Sequence, residues 1–61
     1  MPIGKYIGCR VEIVYLNSIG RLTRKVVHVL EVTSKSVYAF DNGKQAYRTL
    51  RLQRILAVLP A

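Results

Sequence analysis

Arg21-Leu22-Thr23-Arg24-Lys25-Val26-Val27-His28-Val29-Leu30-Glu31-Val32-Thr33 decides the fold. Its even positions Val26, His28, Leu30 and Val32 alternate with Val27, Val29 and Glu31, the two-residue period of a strand. Apolar residues stand on both sides of that alternation, so both faces are partly covered, and a run this long must bend. Such a strand suits a small barrel, in which one strand curves round to serve both halves of the sheet.

Upstream, Arg10 to Leu16 reads as a first strand, with Val11, Ile13 and Tyr15 as its inward set. Asn17-Ser18-Ile19-Gly20 follows as a short turn whose glycine sits where positive φ is needed. Downstream, Ser34-Lys35 closes a turn and Ser36 to Phe40 makes a third strand, with Phe40 expected in the core. Asp41-Asn42-Gly43-Lys44 contains Asn-Gly, the strongest short-range hairpin signal. Gln45 to Leu50 returns as a fourth strand. Arg51 to Ile55 is either a short helical turn or an irregular corner, and Leu56 to Leu59 closes the edge before Pro60. There is no internal repeat, low-complexity tract or linker. The chain is all-β with little or no helix, one domain over residues 1–61 whose five strands share one core.

Size and charge bound the function. A chain of 61 residues buries only about 60% of the surface its unfolded form exposes, so its core is small and a large catalytic cleft is not expected. Ten Lys and Arg against three Asp and Glu give a formal charge of +7, which favours nucleic acid, another anionic ligand or an acidic protein surface. Cys9 is single, and no Cys or His pair has metal-ligand spacing, so we expect a packed thiol, a reducing cytoplasmic setting and neither metal nor cofactor. The start Met1-Pro2-Ile3-Gly4-Lys5-Tyr6-Ile7-Gly8 is too broken for a secretory core, and charges interrupt every apolar run, so no membrane span is expected.

The densest signal for chemistry is Tyr47-Arg48-Thr49-Leu50-Arg51-Leu52-Gln53-Arg54-Ile55, with three arginines at a spacing of three among apolar residues. Guanidinium groups held beside Leu50, Leu52 and Ile55 suit an anchored anion site, although alternating basic and apolar residues also mark any amphipathic edge. Arg24 either lies near the same pocket or faces water. Tyr15 and Tyr47 are each core ring or stacking platform, with the core favoured for Tyr15, and His28 among valines is a strand histidine rather than a metal ligand. The acidic residues Glu12, Glu31 and Asp41 fall on different segments, none of them next to His28 or Cys9 in sequence, and no glycine-rich phosphate cradle is present, so catalysis is not expected.

The order Val11-Glu12-Ile13-Val14-Tyr15, a glycine turn, Arg24-Lys25-Val26-Val27, Val37-Tyr38-Ala39 and Arg48-Thr49-Leu50-Arg51-Leu52-Gln53-Arg54-Ile55 resembles a WYL domain. The family's closing motif reads Arg-Thr-Phe-Arg-Leu-Asp-Arg-Ile; Leu50 and Gln53 replace its Phe and Asp, and Tyr38 alone keeps the tripeptide that names the family. The resemblance implies a small, strongly bent, five-stranded Sm-like barrel acting as a sensor in bacterial or phage transcriptional regulation. It implies ligand contact by Tyr38, Arg48 and Arg51, while Arg54 either joins them, pairs with a carboxylate or caps carbonyls at the corner. The ligand would be single-stranded nucleic acid or a nucleotide-like anion.

The expected function is thus a non-enzymatic module that binds an anionic ligand through Tyr38, Arg48, Arg51, Arg54 and Arg24, serving a transcription regulator. The alternative is a protein-interaction or oligomerisation module that pairs through an exposed barrel edge. With 51% of the chain apolar, a homodimer is expected, and Leu56-Ala57-Val58-Leu59 is its candidate interface strand.

Overall fold

The structure is a computed structural model and describes residues 3–61; Met1 and Pro2, the first residues of the expected non-secretory start, lie outside the described residues. Five strands follow a 3₁₀ turn at Ile3–Tyr6: β1 (Arg10–Leu16), β2 (Leu22–Val32), β3 (Ser36–Asp41), β4 (Ala46–Arg51) and β5 (Ile55–Pro60), with a second 3₁₀ turn at Leu52–Arg54 between the last two. They form one antiparallel sheet in the order β4-β3-β2-β1-β5. The fold is all-β, and every expected strand is present to within about two residues.

The sheet curls without closing. Across a flat sheet the two edge strands would lie about 19 Å apart, four spacings of roughly 4.8 Å. Yet only Leu52–Arg54 connects them, and a 3₁₀ turn from Arg51 to Ile55 advances about 8 Å. The edges must therefore swing towards each other. No β4–β5 ladder forms among the described residues, which corrects the expected barrel to a bent, open sheet.

Two bulges allow the bend. On β2, Val29 pairs with Ala39 and Glu31 with Tyr38, leaving Leu30 as an extra residue. Val27 and Val29 point inward, Leu30 and Glu31 both face out, and Val32 turns inward again opposite Val37. Thus the extra residue moves the inward set from odd to even numbers at Val32, whereas the other even apolar residues, Leu22, Val26 and Leu30, are exposed on the outer face. On β5, Leu56 is the extra residue, skipped where Val14 and Tyr15 pair with Ala57 and Ile55.

Val11, Ile13, Val27, Val29, Val37, Ala39, Leu50, Ile55 and Ile3 form a single buried core, with Tyr15, Leu52 and Val58 packed against it. Ile3 comes from the first 3₁₀ turn, which has no apolar periodicity to announce it and is held by Gly8 N–H donating to Val29 O at 2.8 Å. Cys9, expected packed, is exposed. Phe40, expected in the core, is half-buried on the outer face, because inward Ala39 and Asp41 flank it.

Candidate nucleic-acid interface

The register of β3 and β4 sorts the expected ligand residues onto two faces. Outward-facing pairs are Phe40 with Tyr47, Tyr38 with Thr49, and Ser36 with Arg51; inward-facing pairs are Asp41 with Ala46, Ala39 with Arg48, and Val37 with Leu50. Tyr38 and Arg51 therefore share the outer face one pair apart, whereas Arg48 points to the opposite side. The shared hollow implied for Tyr38, Arg48 and Arg51 is absent, because successive residues of a strand alternate in direction.

Arg48 instead serves the β3–β4 hairpin. Its Nε lies 4.0 Å from Asp41 Oδ2, beyond hydrogen-bonding reach, and is buried without any hydrogen-bond partner. Asp41 is itself 4% exposed, and its Oδ1 accepts from the Gly43 N–H at 3.0 Å and the Lys44 N–H at 3.1 Å. One carboxylate thus fixes the turn with one oxygen and faces the guanidinium with the other. The turn departs from the tight Asn-Gly form, because Gly43 keeps an ordinary φ while Gln45 takes φ 54°. The Asp41 bonds hold Gly43 and Lys44, and the left-handed residue falls at Gln45.

Arg54 caps carbonyls, one of the two structural roles open to it. Its guanidinium donates to Asn17 O at 3.0 Å and Leu16 O at 3.5 Å, tying the start of β5 to the end of β1. Tyr15 lies half-buried against the core, and its hydroxyl accepts from the Arg51 N–H at 3.2 Å. Arg24 is exposed, 3.6 Å from Glu12 and far along β2 from Tyr38. Arg54 is therefore withdrawn from the Tyr38–Arg51 face, and Arg24, although its parity puts it on the outer side of the sheet, lies beyond the end of β3 and away from that row.

That outer face carries a ligand-binding inventory of its own. Tyr47 is 77% exposed and touches Phe40 edge-on, with ring centroids 5.1 Å apart. Tyr38 is 41% exposed, and Leu30 reaches the same side from the bulge. Leu30, Tyr38, Tyr47 and Thr49 border a shallow depression of about 200 Å³, which Ala39 and Arg48 also line. Arg51 ends the row and lines a second hollow, of about 430 Å³, with Ser34, Lys35, Leu52 and Gln53. Leu52 N–H donates to Lys35 O at 3.0 Å, so the β2–β3 turn and the second 3₁₀ turn are joined beneath the two cations. Glu31, opposite Tyr38, is the acidic residue on this face. The sequence leaves Tyr47 open, because only the register shows which of the alternating residues join Tyr38, and it marks Lys35 only as a turn residue.

No family model, curated protein or solved structure matches the chain. The likeness to WYL domains therefore rests on the residues that carry it, and the geometry gives much of the closing motif a task in folding. Leu50 and Ile55 are buried, Leu52 packs on the core, Arg48 faces Asp41 and Arg54 caps β1. Thr49, Arg51 and Gln53 are exposed. Among the described residues no Asp, Glu, His and Cys cluster forms a metal site, and no helix is long and apolar enough to cross a membrane.

Proposed function

We propose that this protein is a non-enzymatic module that binds single-stranded nucleic acid across the outer face of β3 and β4, with Tyr38 and Tyr47 stacking on bases and Arg51 and Lys35 contacting phosphate. One observation carries the reading: Tyr47 stands 77% exposed in line with Tyr38 and Arg51, in a chain of net charge +7. A ring so exposed contributes little to the core, whereas a face of aromatics ending in cations offers stacking and counter-charge together. The resemblance to WYL domains supports a setting in transcriptional regulation, with a regulator as partner. The cytoplasm suits such a partner and an exposed thiol.

Fluorescence anisotropy with labelled oligothymidylate and oligouridylate tests the reading. Affinity is expected to fall by about 0.7 log units per log unit of salt for each phosphate neutralised. Tyr47→Ala is expected to cost about 1–3 kcal/mol of binding, with the circular dichroism spectrum unchanged. Binding that is indifferent to both salt and Tyr47 would remove this reading.

A further inference from the structure

β2 outruns β3. It pairs with β1 from Leu22 onward, but its ladder to β3 begins only at Val27, so the Leu22–Val26 segment has a strand on one side alone. The hydrogen bonds show which groups this leaves open. Asn17 N–H donates to Arg21 O and Val29 N–H to Cys9 O, so odd residues of β2 direct their peptide groups to the β1 side; Val26 O accepts from Asn42 N–H, so even residues face the β3 side. The N–H and C=O of Leu22 and Arg24 accordingly point into the space beyond the end of β3, with no backbone partner among the described residues. That space is a hollow of about 620 Å³, walled at one end by Asn17 and at the other by Gly43 and Lys44, with Arg24 and Lys25 along it.

We infer that this notch takes an acidic, extended segment of a partner protein, which adds as a short strand beside Leu22–Val26. The chemistry distinguishes the occupant. Open N–H and C=O groups alternate along the edge, and only another peptide strand satisfies both, whereas a phosphodiester offers acceptors alone and leaves the carbonyls unpaired. Arg24, Lys25 and Lys44 set the charge around the notch: Asp41 also lines it but is buried and engaged by the turn amides and Arg48, and Glu12 offsets only Arg24. Against a second copy of this basic edge these cations repel, which keeps the segment from pairing with itself; against carboxylates they attract. The notch is separate from the β3–β4 outer face, so this inference stands independently of the nucleic-acid reading.

Amide hydrogen exchange of the full chain, followed by NMR, tests it with a capped peptide Glu-Thr-Glu-Val-Glu-Thr-Glu as probe. The peptide is expected to slow exchange at the Leu22 and Arg24 amides, and the same peptide with lysine for each glutamate is expected to leave them unchanged. Lys44→Glu, an exposed turn position, is expected to weaken peptide binding about tenfold with the fold intact. Leu22→Pro removes one outward N–H and keeps every charge, and is expected to weaken binding while the β1–β2 ladder survives. No protection at about 1 mM peptide would overturn the inference. So would protection that appears without peptide as protein concentration rises, which marks a second copy, or oligothymidylate shifting Arg24 and Lys44 where the peptide does not, which marks a phosphate site.

Discussion

Asp41 is the residue on which most local structure depends. Truncation by Asp41→Ala removes two turn hydrogen bonds and leaves the buried Arg48 Nε without its counter-charge. We expect a loss of about 2–4 kcal/mol, read as a shifted urea midpoint; a change under 0.5 kcal/mol would contradict the role given to this carboxylate. Gly20, at φ 83° with open space about its Cα, is limited by backbone geometry alone, so Gly20→Ala should cost about 1–2 kcal/mol, measured in the same way. The Gly20 position was legible because Asn17-Ser18-Ile19-Gly20 has a local turn signature. Arg48 was not, because motif spacing is blind to strand parity, and one step along the chain reverses a side chain's face. Phe40 was misplaced for the same reason, since its size suggested the core while its parity put it outside.

At the level of elements, the second 3₁₀ turn is the clasp that curls the sheet. Arg54 bonds it to the end of β1, Leu52 N–H to the β2–β3 turn, and Tyr15 to the residue just before it. Tyr15→Phe deletes one of these ties and keeps the ring in the core, and is expected to cost about 1 kcal/mol in denaturant unfolding. Local patterning announced the strands and also named Arg51 to Ile55 as a turn or corner. It did not announce what the corner holds, because the partners Leu16, Asn17 and Lys35 lie far off in sequence. The bulge at Leu30 was half legible: apolar residues in both parities indicated a bend, but only pairing with β3 shows where the extra residue falls. Glu31, carried outward by that bulge beside Tyr38, opposes an anionic ligand. Glu31→Gln is therefore expected to tighten oligonucleotide binding about two- to fivefold at low salt, with the gain shrinking as salt is added.

For the whole molecule, most of the exposed apolar surface of the strands lies on the outer side of the sheet, whereas the cations are divided between its two sides. Leu22, Val26, Leu30, Tyr38, Tyr47 and Leu59 are exposed on the outer side of the sheet, while the exposed Ile7 and Ile19 lie off the strands and Leu56 on the β5 bulge. A contiguous exposed apolar patch is where the proposed ligand, a partner or another copy would meet the chain. The expected homodimer would use β5, an uncharged edge strand, and sedimentation at high micromolar concentration of Leu59→Lys beside the unaltered chain tests that arrangement. A mass that stays monomeric for the unaltered chain would remove it. The chemical shift map of the chain titrated with oligothymidylate tests the central claim most directly. Shifts concentrated at Tyr38, Tyr47, Thr49, Arg51 and Lys35, with Arg48 and Arg54 little changed, are the expected result. A map centred on the inward arginines, or no shift at any residue, would contradict it.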